Sequence, residues 1–147
     1  MADGHMQASV RWAGDGMLIG FSPGGHAVPM ETKRERGSAA SPVELLLLSL
    51  GGCTGVDVVN ILEKKRMKVT AYEARLSGER SPEFPKKFTK IHVHHAVRGT
   101  GLTAHAVEQA IELSEKKYCS VSASLQPAVE ITSSYEIIDD AAPAVGY

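Results

Sequence analysis

The sequence is poor in several things at once. Aromatic residues fill only 5% of its 147 positions, cysteines number two, and 16 basic residues against 17 acidic ones leave a formal charge of −1. A near-neutral chain lacks the basic excess that phosphate neutralisation requires, so nucleic acid is not an expected partner. The longest apolar run, Leu45 to Leu50, is interrupted by Ser49. It falls far short of the ~20 residues that cross a bilayer, and no membrane span is expected. Two cysteines are too few for a disulfide scaffold. Residues 1–6 place a second Met after Gly-His and contain no apolar stretch, so they read as an artificial leader and not a secretory signal. The expected location is therefore the reducing cytoplasm, where paired thiols are more often free, catalytic or redox-active than locked in a bridge. What is present, 43% hydrophobic and 22% charged residues, describes one ordinary domain.

The chain opens with alternating residues 7–12, where Val10 and Trp12 oppose Ser9 and Arg11, and Gly14-Asp15-Gly16 follows as a turn. Residues 17–21 and 26–30 continue a β-meander, and the charged stretch 31–40 reads as an exposed loop. Ser41-Pro42-Val43-Glu44 is the sharpest local signal, with a Ser cap, Pro at the first helical position, and Glu placed to return a bond to the cap amide. The helix it starts is predicted to reach about residue 65 and to be buried all round through Leu45–Leu50. Gly51-Gly52 in its interior costs roughly 1 kcal/mol per glycine relative to Ala, so close approach of another backbone is expected there. Residues 69–77 and 88–98 read as two strands. Thr103 can cap a second helix to about residue 118 with Val107, Ala110, Ile111 and Ser114 on its buried stripe. A Ser-rich bend or short helix over 120–125, a last strand over 128–138 and a loose tail over 139–147 complete an α+β order of βββ-α-ββ-α-β, with a single domain over 7–138. The excess of apolar helix predicts a second subunit as its cover.

Chemistry-bearing residues are few. Cys53 lies within the long helix and Cys119 at the predicted end of the second. A buried cysteine can be a mere small hydrophobe, but two packed helices could also bring these thiols together. Asp57 comes one helical turn after Cys53, where a carboxylate would raise the thiol pKa. His92 and His94 share a strand face with Lys90, opposite Ile91, Val93 and Val97, and are expected to face solvent and not to hold a metal. His95 is expected to be a satisfied core histidine, and Glu44 is accounted for by the capping box. No phosphate loop, serine elbow or zinc-type cysteine pair is present in the sequence. Neither a metal nor a cofactor is expected.

Ser41-Pro42-Val43-Glu44-Leu45, Gly51-Gly52-Cys53-Thr54 and Tyr118-Cys119-Ser120-Val121-Ser122 together resemble the OsmC/Ohr family of thiol-dependent peroxidases, closer to its less characterised OsmC-related branch than to Ohr. The resemblance implies an intertwined homodimer in which sheets wrap long central helices. It implies that Cys53 attacks an organic hydroperoxide and passes through a sulfenic acid, that Cys119 resolves it as a disulfide, and that an external dithiol, lipoyl in type, restores both thiols. The family carries a Glu directly after the Pro, paired with an activating Arg. That position is Val43 here, which leaves Glu44 one place later, and Arg34 and Arg36 of the loop, with Arg11 of the first strand, as the supporting candidates. The departure also gives an alternative reading, a non-catalytic dimer that binds a ligand or senses redox state.

Overall fold

Asp15 and Gly16 both adopt positive φ, 47° and 79°, which turns the chain back within two residues and matches the twist of the strands on either side. The structure is a computed structural model that describes residues 4–33 and 35–141. Two units divide it, residues 1–46 and 47–147. In the first, β1 (Ser9–Gly14), β2 (Met17–Phe21) and β3 (Ala27–Glu31) form an antiparallel meander in the order β1-β2-β3, as the alternation and turns predict.

Helix α1 spans Pro42–Lys64. Its start is the expected reciprocal cap: the Ser41 amide donates to Glu44 Oε2 at 2.6 Å and the Glu44 amide to Ser41 Oγ at 3.2 Å. Within the second unit α1 lies against β4 (Lys68–Arg80) and β5 (Phe88–Thr100), which pair antiparallel, while β6 (Glu130–Asp139) runs parallel to β5 on its other side. A parallel partner needs a crossover. It is supplied by α2 (Ala104–Leu113), capped by Thr103 as expected, a π-helical turn Ser114–Tyr118, and α3 (Ser120–Leu125). Val58 and Leu62 of α1, Val97 of β5, and Ala106, Val107, Ala110 and Ile111 of α2 form the core, so the predicted stripe of α2 is the buried one.

Two expectations about α1 need correction. At Gly51 a side chain, not another backbone, takes the space the glycine leaves. A Cβ on Gly51 would stand 2.7 Å from Leu76 Cδ1, one on Gly55 2.7 Å from Tyr72 Cε1, and one on Gly52 would meet nothing within 4 Å among the described residues. Nor is the leucine run buried all round: of its leucines only Leu50 is buried, while Leu48 keeps 61% of its surface exposed, and Val56, two turns on, 55%. One three-stranded sheet covers one side of a helix, and the side carrying Leu48, Gly52 and Val56 is left over. By length and composition α1 is apolar enough to cross a membrane, a test that the core helix of a folded domain also meets. Leu50, Val58 and Leu62, each exposing 1% or less, nevertheless pack into the core of the second unit.

Residues 139–141 are better tied than a loose tail. Asp140 accepts hydrogen bonds from the Thr70 and Thr100 hydroxyls, and its amide donates to Gly99 O. Residues 142–147 of the predicted tail lie outside the described residues.

Candidate active site at Cys53, Asp57 and Cys119

Cys53 and Asp57 stand one turn apart on α1, so their side chains leave the same face of the helix. Cys119 arrives from the crossover. The π-helical turn before it carries one extra residue per hydrogen-bonded ring, with the Cys119 amide donating to Ser114 O at 2.8 Å. Such widened turns recur at functional sites. Here the turn ends α2 and delivers Cys119 to the cap of α3. The two sulfurs and an Asp57 carboxylate oxygen all lie within 4.8 Å of one another. Both thiols are free, Cys53 half-buried and Cys119 buried.

Ser114 fixes the carboxylate. Its hydroxyl, fully buried, donates to Asp57 Oδ2 at 2.9 Å. Its one proton being committed there, it accepts from the Thr54 hydroxyl at 2.9 Å. The Thr54–Ser114–Asp57 chain therefore ties the residue beside Cys53 to the base of the π-helical turn and to the acid facing both thiols. Burial pushes the Cys119 thiol up to about 11, opposed by the Ser122 amide that donates to its sulfur at 3.4 Å, and nearby Cys53 adds to the rise. At neutral pH Cys119 is a thiol, not a thiolate. Ser122 Oγ, buried and without a partner among the described residues, lines the same small cavity as Cys119. On the open side, Asp57 borders a cleft of about 320 Å³ shared with Asn60, Ile61, Lys64, Leu113 and Tyr118.

The sequence singled out Cys53, Cys119 and Asp57, and the structure brings them together. Ser114 was legible only as a polar residue on an apolar stripe, and Thr54 only as the neighbour of Cys53. Of the supporting candidates, Glu44 makes the α1 cap. Arg36 pairs within the first unit with Glu31 at 2.8 Å and Asp15 at 2.7 Å, and Ser38, with help from Arg36, holds the Glu31 carboxyl below its usual range. Arg34 lies outside the described residues. Arg11 lies over the Phe21 ring, 4.9 Å from its centroid.

The three strand histidines sort differently from expectation. His92 and His94 do not simply face solvent: they are half-buried and bonded into β6, His92 to Thr132 and Ser134 at 2.7 and 2.8 Å, and His94 to Ser134 and Glu136 at 2.7 and 3.2 Å. His95 is fully buried as expected, with Nδ1 2.7 Å from the Tyr72 hydroxyl, but its Nε2 has no partner among the described residues. Burial, with His94 and His92 adding to it, lowers its pKa to about 4, so the ring is neutral. Burial likewise raises the Tyr72 phenol above its ordinary value.

Comparison with known proteins places this arrangement. Residues 35–134 match the family model described as OsmC-like protein. The Escherichia coli K12 protein named Protein YhfA is 43% identical over 133 residues, covering 90% of this chain and 98% of its own. Among solved structures, a hypothetical protein from Aquifex aeolicus superposes with a TM-score of 0.83 at 30% identity, over 92% of this chain and 98% of that one. An organic hydroperoxide resistance protein OsmC from Legionella pneumophila has the same fold, with a TM-score of 0.68 at 15% identity, over 92% and 99% of the two chains. Fold and matched sequence thus agree, and the chain belongs to the OsmC family.

Proposed function

We propose that this protein is a two-cysteine thiol peroxidase that reduces organic hydroperoxides. The observation that carries the reading is the convergence of Cys53 and Cys119, 66 residues apart in sequence, to within 4.8 Å. The Cys53 sulfur attacks the terminal oxygen of ROOH; the O–O bond breaks, ROH leaves with the thiol proton, and Cys53 becomes a sulfenic acid. Cys119 then attacks that sulfur, forming the S–S bond and expelling the oxygen as water. Because Cys119 is held as a thiol, this step needs a base. Asp57, within reach of both sulfurs, accepts the Cys119 proton and passes it to the departing hydroxide. An external dithiol, of lipoyl type, reduces the disulfide by exchange. The cleft beside Asp57, with Ile61, Leu113 and Tyr118 in its walls, suits an alkyl group better than hydrogen peroxide.

The working form is a homodimer in a reducing cytoplasm. Leu48 and Val56 in water on one face of α1 are what a second subunit would cover. A second reading, a dimer that senses redox state or binds a ligand without turnover, draws on Val43 in place of the family's Glu.

Counting free thiols after adding one equivalent of cumene hydroperoxide to reduced protein tests the choice. The expected result is loss of two thiols within seconds, recovery with dihydrolipoamide, loss of only one in Cys119→Ser, and no consumption by Cys53→Ser. Survival of both thiols for many minutes would overturn the peroxidase reading and leave ligand binding without turnover.

A further inference from the structure

We propose that the reduced site also binds a thiophilic divalent cation, zinc in the first instance, through Cys53 Sγ, Cys119 Sγ and the Asp57 carboxylate. The three donors come from two separate elements, α1 and the cap of α3, and their ligand atoms lie within 4.8 Å of one another. Two ligands at zinc–sulfur distance and tetrahedral angle stand ~3.8 Å apart, so closure needs rotamer adjustments of about an ångström. Two sulfurs and one carboxylate select zinc over magnesium or calcium, which take oxygen donors. Three protein ligands leave the fourth position to water.

The groups around the donors favour this use. Ligating side chains are normally oriented by outer hydrogen bonds, and two of the three already have them: Ser114 Oγ donates to Asp57 Oδ2 at 2.9 Å, and the Ser122 amide donates to Cys119 Sγ at 3.4 Å. The buried Ser122 hydroxyl, without a partner among the described residues, lines a small cavity with Cys119 and is a spare donor beside that ligand. Binding replaces two protons: Zn²⁺ and two thiols give a dithiolate complex and two H⁺, and affinity rises with pH. The disulfide offers no thiolate, so the site exists only in the reduced protein. This inference stands on donor geometry and is independent of peroxidase turnover.

The test is metal titration of the reduced full-length chain, with Co²⁺ as a spectroscopic probe and Zn²⁺ in competition with a chromophoric chelator. Expected are one metal per chain at micromolar affinity or tighter and a thiolate-to-cobalt charge-transfer band. Affinity should fall at least about a hundredfold in Cys53→Ser and Cys119→Ser and about 10- to 100-fold in Asp57→Asn, with none bound after diamide oxidation to the disulfide. Binding that survives both cysteine variants, disappears on replacing His92 and His94, or lacks the charge-transfer band would overturn the proposal. Hydroperoxide consumption by the metal-free protein is measured apart, so failure of either reading is visible without the other.

Discussion

The two faces of α1 are built on opposite principles. One carries Gly51, Thr54, Gly55, Val58 and Leu62, small where β4 presses in and large where α2 does, and all of it is buried. The other carries Leu48, Gly52 and Val56 and is exposed. Glycine appears on both, yet with opposite meaning, since Gly51 and Gly55 make room for Leu76 and Tyr72 whereas Gly52 makes room for nothing among the described residues of its own chain. Helix propensity alone treats the three alike. The contrast teaches that a glycine in a helix is informative only with its surroundings, and that the second unit leaves one face of this helix uncovered. Cys53 and Asp57 sit at the border of the two faces, where a site can be shielded by the core and still reached.

The sharpest way to break the comparison is to spoil the exposed face. If a second subunit covers it, Leu48→Glu buries an unpaired carboxylate at the interface. The dimer should weaken by about a hundredfold or more, read by light scattering or sedimentation, while the folded monomer, with Leu48 already in water, keeps its helical circular dichroism. A dimer unaffected by Leu48→Glu would show that the face is not the interface.

The buried face should respond to acid instead. His95, held against Tyr72 behind Gly55, has a native pKa of about 4 against an ordinary value of 6.5. Between those values the unfolded chain binds a proton that the native one refuses, so stability falls as pH drops from 6.5 towards 4. The loss is on the order of 3 kcal/mol at the foot of the window. Denaturant midpoints at pH 7 and pH 4.5 should differ far more in wild type than in His95→Gln, where the ring that titrates in this window is gone. Equal differences in the two proteins would mean that the ring is not buried neutral.

Gly55→Ala tests the same face without titration. Its Cβ would overlap the Tyr72 ring, which the His95 bond pins, and overpacking of this kind costs about 1–3 kcal/mol. Gly51→Ala should cost less, because the atom it meets is the free end of Leu76. Thermal melts of the two variants check the order.

Much of this was legible in the sequence because the signals are local. Ser41 and Glu44 carry a complete cap between them, Asp15-Gly16 carries its turn, and the α2 stripe comes from a 3.6 period. The cysteines were visible through their flanking motifs. What was not legible depends on partners distant in sequence. His92 and His94 read as solvent-facing because the strand period places them opposite the core, and only the parallel pairing with β6 brings Thr132, Ser134 and Glu136 beside them. The role of Ser114 depends on a π-helical turn that no periodicity announces, and the leucine run read as buried because composition cannot say how many layers cover a helix.

Gly52→Ala gives the smallest effect and the most discriminating sign. No described residue of its own chain comes within 4 Å of the new methyl, so in a monomeric Leu48→Glu background the substitution should only reduce the freedom of the unfolded chain and raise helix propensity, a gain of up to about 1 kcal/mol. In the wild-type background the same methyl lies on the face of Leu48 and Val56. If a partner helix packs there at close range, the gain should shrink or reverse, and the reversal should grow with protein concentration as the dimer forms. Stability measured by denaturant in both backgrounds, at low and high concentration, separates the cases. A gain of equal size in all four measurements would mean that no second backbone approaches Gly52, and that the exposed face of α1 owes its glycine to neither subunit.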